Sequence, residues 1–340
     1  MFNIMKYRSI FLGISLVLVL ASIASIIFVG FNLDTDFAGG LAVTYKIDSE
    51  FTVADVEKIT NEALGSDQSP SSVQKSGDNE VVIKFGFDNK LETDEARSDF
   101  AMEKINAITA ALTDKYGTEA PVEEAATEEA TTEEAIAEET AAEENATEET
   151  ATAVVGVEKM SEDIVSPSTG RELARSALWM SILACLAILL YVTFRFEFTS
   201  GVVAILALVH DVVILLGIYS VLRISVNTNF IAAILTVLGY SINNTIVIMD
   251  RIRENTRHAR KETYGEIANK SIVQTMNRSI NTTITTLLTI GMVYIMGVPS
   301  IQSFSLPIII GLFVGFYSSV FVSGPLWALW RDAGVKAKKA

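Results

Sequence analysis

The chain is poor in the side chains from which most reactive sites are built. It has one cysteine, Cys185, and two histidines, His210 and His258, in 340 residues. A single cysteine excludes a disulfide within the chain, and its place inside an apolar run reads as ordinary helix packing. No Cys/His cluster and no HExxH pattern is present to hold a metal. No P-loop, Ser-His-Asp set or paired carboxylates occur either, so the expectation is a protein that is not an enzyme and uses no cofactor.

Positive charge is also scarce, with 26 Lys and Arg against 41 Asp and Glu. The excess is local, because 13 glutamates fall between Glu119 and Glu149, a stretch without Lys or Arg. Setting those 13 aside leaves 28 acidic against 26 basic residues. The rest of the chain is near neutral and implies neither a nucleic-acid partner nor an acidic substrate. Residues 119–150 repeat variations of Ala-Thr-Glu-Glu, which hold too little apolar surface to offset the entropy of ordering. They read as a disordered, solvated insertion.

What the chain has in quantity is long apolar runs. About 20 apolar residues cross the hydrocarbon core, and six runs qualify: about 10–30, 176–194, 200–222, 229–249, 272–296 and 304–327. The first competes with a cleaved signal peptide, since Lys6 and Arg8 precede it and Ser22-Ile23-Ala24 resembles a small-residue cleavage site. Its length exceeds a normal signal core and favours retention. Orientation follows the Lys and Arg near span ends. Lys6, Arg8, Arg195, the six basic residues from Arg251 to Lys270, and the tail (Arg331, Lys336, Lys338, Lys339) fall on one side, while Arg171 and Arg175 run against the bias. That side is the cytoplasm, giving a multi-pass protein of the cytoplasmic (inner) membrane with both termini inside.

These runs divide the chain into an N-terminus with the first span (1–30), an extracytoplasmic domain (31–173), helices two to six (174–330) and a basic cytoplasmic tail (331–340). Within the domain, Leu41 to Ile47 alternates as a strand does, and Thr52 to Asp55 resembles a capping box opening a helix to Leu64. Ser71 to Lys75 and Glu80 to Phe87 flank a Gly77-Asp78 turn. A second helix from about Thr93 carries Ala101, Ile105, Ile108 and Leu112 at helical spacing and ends at Gly117. Thr152 to Val157 supplies a last strand, giving a split, ferredoxin-like α+β order.

Ionisable groups inside a bilayer cost about 2.5–3.5 kcal/mol each and so need a partner or a purpose. His210 and Asp211 lie near the middle of the third span, where they either relay protons or merely hydrogen-bond between helices. Ser241, Asn243, Asn244 and Thr245 make a polar patch in the fourth. Asp250, Arg251 and Arg253 close that span as interface anchors. Arg278, Asn281, Thr282 and Thr285 share one face of the fifth, a face that avoids lipid, with Arg278 either on a buried pathway or, eight residues past Lys270, snorkelling to the interface as an anchor. Gly239, Gly311 and Gly315 read as close-packing positions.

The segment from Gly239-Tyr240 through Asn244 to Asp250-Arg251 resembles the signature of the SecF protein-export family, within the resistance-nodulation-division superfamily. Asp36-Phe37-Ala38-Gly39-Gly40, Ser166 to Leu173, Ala207 to Val212 and Asn277 to Thr283 are similar to family motifs in the same order. The resemblance implies SecD as partner, with the SecYEG channel, SecA, YidC and translocating preproteins around it. It also implies drive by a proton or sodium gradient through an intramembrane carboxylate and an arginine. The arginine position matches Arg278. The carboxylate position falls on Asn244, and an amide cannot carry a proton, which leaves a carboxylate of SecD, Asp211, a sodium ion held partly by the amide, or no ion coupling. A small-molecule or ion exporter of the same superfamily is the competing reading, although such exporters usually hold two copies of the six-span unit.

Overall fold

The computed structural model describes residues 3–65, 70, 72–77, 79–87, 93–117, 156–195, 197–259, 261–297 and 299–339. The insertion expected at 119–150, Asp78 of the turn and the strand start at 152–155 lie outside them.

A short 3-10 turn leads into α1 (Arg8–Phe28). A parallel two-residue bridge then pairs β1 (Asn32–Leu33) with β6 (Ser225–Val226), and α2 (Thr35–Ala38) follows β1 directly. The α+β domain runs β2 (Gly40–Ile47), α3 (Val53–Leu64), β3 (Ser72–Ser76), β4 (Glu80–Gly86), α4 (Asp94–Tyr116) and β5 (Val157–Val165). Its strands pair antiparallel in the order β3-β4-β2-β5. Leu41, Val43, Tyr45 and Ile47 alternate inward on β2, Val81, Ile83 and Phe85 on β4, and both meet Ala101, Ile105, Ile108 and Leu112 of α4 in one core. Thr52 and Thr93 cap the two helices through their side-chain oxygens. The last strand is nine residues long and begins at Val157, where the sequence had suggested the strand's end. Its pattern is mostly exposed, so it carries little of the alternation that marks a half-buried strand.

The remaining helices are α5 (Pro167–Arg195), α6 (Phe198–Val221), α7 (Thr228–His258), α8 (Tyr264–Met296), α9 (Pro299–Tyr317) and α10 (Gly324–Lys339), with a π-helical segment, Ser318–Ser323, joining the last two. Among the described residues, five helices are long and apolar enough to cross a membrane: Ile4–Phe28, Phe198–Val221, Thr228–His258, Tyr264–Met296 and Ile301–Gly334. The helical stretch continues to Lys339, through the segment expected to be a tail.

The bundle inverts the pattern of a water-soluble protein. On α1, Leu16, Val17 and Leu20 are exposed while Ser15, Ser22 and Ser25 are buried. Small polar residues inside and branched apolar ones outside suit helices that associate in lipid, where apolar burial supplies no drive and close backbone approach does. Gly217 of α6 abuts Ser22, and the Ser25 hydroxyl is 2.8 Å from that of Ser220. Within the Ser22-Ile23-Ala24 stretch, Ser22 thus packs against α6, while Ile23 is exposed. Gly311 and Gly315 pack as expected, against Val237 and Ser241. Gly239 does not, since it borders open space, and Cys185 is exposed rather than packed.

The two ends of the bundle differ. At one, Arg223 caps the end of α1 by donating to the Val29 carbonyl at 3.0 Å, beside the α+β domain. At the other, Arg8 approaches Asp332, Arg331 pairs with Glu197, and Arg251 donates to Gln274 at 2.7 Å.

Candidate functional site

Among the described residues, the bundle interior holds one carboxylate and one imidazole, side by side. His210 and Asp211 of α6 are 8% and 1% exposed, and His210 Nδ1 lies 2.9 Å from Asp211 Oδ1. The Ser241 hydroxyl of α7 and the Ser318 hydroxyl of the π segment both donate to Asp211 Oδ2, at 2.5 and 2.8 Å. On the other side of the ring, His210 Nε2 is 2.8 Å from the Ser15 hydroxyl of α1. The network continues to Thr245 and Ser319, whose hydroxyls are 2.9 Å apart. Asp211 thus accepts three hydrogen bonds and His210 engages both nitrogens, which is full satisfaction for a buried pair.

Local sequence explains this convergence. Gly315 leaves room for Ser241, because a Cβ there would sit 3.0 Å from the serine's own. The π segment inserts an extra residue into the helix, a feature frequent at functional sites. It brings Ser318 and Ser319 onto the same side as α6 and α7, all fully buried.

The other intramembrane candidates fall apart into two groups. Asn244 is buried and its Nδ2 has no acceptor, and Ser279 of α8 has a buried hydroxyl without a partner. Asn243, Arg278, Asn281 and Thr285 are exposed. The Arg278 guanidinium forms no hydrogen bond or ion pair with any described residue, and no hydrogen bond joins it to Asn244. Within this chain the polar face of α8 points outward, and its inward face is Ser271, Thr275, Ser279 and Thr283 instead. Tyr240 reaches that face by donating to Thr283 at 3.3 Å. Asp250 is exposed, and Arg251 bridges Glu254 and Gln274 at the helix ends.

A second constellation sits where the domain meets the bundle. A Cβ on Gly39 would lie 2.7 Å from the backbone of Pro167, and one on Gly170 would lie 2.8 Å from the Phe37 carbonyl. Two motifs more than a hundred residues apart in sequence are thus one joint. Asp36 accepts from the Thr228 amide at 3.0 Å, placing a carboxylate on the positive N-terminal end of α7. Asp34, 7% exposed, pairs with Lys84 of β4 at 2.9 Å. Asp34, Asp36 and Lys84 border a cavity of about 560 Å³, lined also by Tyr219, Asn227 and Gln302.

Sequence reasoning found Asp211 and His210 but missed Ser15, Ser318 and Ser319. The signal for Ser15 was the helical spacing of Ser15, Ser22 and Ser25 along a leucine-rich run. Among the described residues, no three His, Cys, Asp or Glu side chains come together as a metal ion would need.

An outward-apolar, inward-polar bundle carrying an α+β domain after its first helix defines a polytopic helical membrane protein with its functional groups inside. A family model described as protein export membrane protein SecD/SecF, C-terminal, matches residues 145–333. The chain is 32% identical to protein translocase subunit SecF of Sebaldella termitidis, over 97% of its own length and 92% of that relative. It is 32% identical to protein translocase subunit SecDF of Bacillus subtilis, over 98% of this chain but 38% of the longer protein. The crystal structure of SecDF from Thermus thermophilus, described as a translocon-associated membrane protein, is similar with a TM-score of 0.71 at 29% identity, covering 97% of this chain and 39% of that one. The chain belongs to the SecD/SecF family of protein export membrane proteins, and it spans well under half the length of the SecDF relatives.

Proposed function

We propose that this chain is the SecF-type subunit of a SecDF accessory complex that assists protein export across the cytoplasmic membrane. The observation that carries the reading is the 32% identity to a protein translocase subunit SecF over 97% of this chain and 92% of that relative. In this reading SecD is the partner that supplies the remainder, and the pair works with SecYEG and SecA, with YidC nearby, on translocating preproteins. The α+β domain is ferredoxin-like and extracytoplasmic. Helix α5 serves as a sixth span, and both termini face the cytoplasm, which agrees with the basic residues gathered at the end of the bundle away from that domain.

The exposed polar stripe of α8 supports a partner in the membrane. Arg278, Asn281 and Thr285 facing acyl chains would cost several kcal/mol, and a neighbouring helix with a carboxylate removes that cost. An ion gradient drives the cycle, the chain itself performs no covalent chemistry, and it uses no cofactor. Copurification of a tagged full chain from its native membrane tests the assignment. Recovery of SecD and the channel is the expected result. A homotrimer without them would replace it with an exporter of the resistance-nodulation-division type.

A further inference from the structure

Position 244, where the family pattern leads one to seek a proton carrier, holds an amide that cannot carry one. Among the described residues of the bundle interior, the buried carboxylate is Asp211. From 198 to 221, α6 bears no charged side chain besides the His210–Asp211 pair. Ser15 from α1, Ser241 from α7 and Ser318 from the π segment hydrogen-bond the pair, and Asn244, Thr245, Ser319 and Ser323 are buried on the same elements. Tyr317 is the titratable neighbour, with its ring 6.4 Å from the imidazole and its own hydroxyl donating to the Phe11 carbonyl at 2.9 Å. No Lys or Arg reaches the pair among the described residues, so its charge is set by its own protons.

We propose that His210 and Asp211 form one proton-binding unit, loaded and unloaded through Ser15, and that Ser241 and Ser318 hold its unloaded form. The proposal rests on the ion-driven reading above and deepens it by naming the site. The carboxylate at 2.9 Å fixes the hydrogen on Nδ1, which leaves Nε2 as the exchanging position. In the loaded unit both ring nitrogens carry hydrogen, Nε2–H donates to the Ser15 oxygen, and imidazolium and carboxylate cancel. On unloading, the Nε2 proton passes to the Ser15 oxygen as that hydroxyl gives its own proton to a water molecule, which leaves as hydronium. Ser15 then turns to donate to the bare nitrogen. The unit is left with one negative charge, spread over a carboxylate that still accepts from Nδ1, Ser241 and Ser318. A single charge in this interior is costly while the loaded unit is neutral, so proton occupancy changes which packing of α1, α6, α7 and the π segment is favoured.

The full chain in lipid bilayers, with ¹⁵N-labelled histidine, provides the test. His210 and His258 are its two histidines, and His258→Gln leaves one ring to observe. As pH is lowered, Nε2 of His210 is expected to gain a proton while Nδ1 stays protonated throughout. Asp211→Asn should abolish that step, and Ser15→Ala should keep it but slow exchange of the Nε2 proton with solvent. A ring whose nitrogens do not change with pH, or one that behaves identically in Asp211→Asn, overturns the site. If Asp211→Asn does not fold, the unsubstituted ring alone decides. A silent ring in a chain that still copurifies with SecD sinks this site and leaves the export assignment standing.

Discussion

Gly217 of α6 lies so close against Ser22 of α1 that a side chain on the glycine would occupy the serine's place. The first helix is held by this contact and by the side-chain hydrogen bonds on either side of it, Ser15 with His210 and Ser25 with Ser220. Gly217→Val is expected to push the two helices apart at a cost of about 1–3 kcal/mol. In a Cys185→Ala background, Ser22→Cys should be protected from a membrane-permeant maleimide and become reactive once Gly217→Val is added. Continued protection would show that the contact can be relieved locally.

Gly39 has φ +82°, a conformation that side chains rarely adopt, and the backbone of Pro167 occupies the space beside it. Gly39→Ala should therefore cost on the order of 1–3 kcal/mol. Amide exchange would report the loss as faster opening at the start of α5 and at β2, with the far end of the bundle unchanged.

The Asp34–Lys84 pair joins the sheet to the edge of the bundle with both partners mostly buried. Lys84→Met leaves a buried carboxylate without its cation and is expected to destabilise the joint by about 1.5–3 kcal/mol. Adding Asp34→Asn should recover a large part of that loss. A double-mutant cycle on the unfolding free energy of the full chain measures the coupling.

Tyr45 sits in the core of the α+β domain, and burial pushes its hydroxyl up to about 12 although Thr109 hydrogen-bonds it. The folded state thus favours the neutral phenol more than the unfolded chain does. That contribution is complete below the ordinary tyrosine value of about 10, and it is lost as pH rises through the folded value of about 12. Tyr45→Phe should cost about 1 kcal/mol near neutrality through the lost hydrogen bond. It should also flatten the alkaline fall in domain stability, read by denaturant titration at several pH values.

Arg278→Ala is expected to abolish support of protein export while the complex stays at normal levels, because the exposed guanidinium is the group offered to a partner helix. Pulse-labelled secretory precursors would accumulate in the variant. Export at the unsubstituted rate would remove Arg278 from the pathway.

Much of the architecture could be read from the residues, because long apolar runs and helix caps are local signals. Thr52 and Thr93 marked their helices, and Val81, Ile83 and Phe85 marked the buried face of β4. The strand Val157–Val165 was misplaced because an edge strand with Glu158, Lys159, Glu162 and Asp163 shows little apolar alternation. The polar interior was legible in part. Asp211 announced itself as a charge in an apolar run, but its partner Ser318 lies 107 residues after it, and Ser15, the partner of His210, lies 195 residues before that ring. A serine in a membrane helix gives no hint of which neighbour it serves. Capping signals were likewise incomplete, since Thr263 and Glu266 form a capping box on α8 that the polar surroundings concealed.

The π segment adds one residue to its turn, and each residue of an α-helix advances the side-chain direction by about 100°. Were Ser318–Ser323 to rewind into regular helix, everything beyond it would swivel by about that angle. Trp327, now packed edge-on to Tyr264, would face another side, while Ser318, at the start of the segment, would keep its place beside Asp211. The extra residue therefore sets the heading of the last helix, next to the buried carboxylate of Asp211.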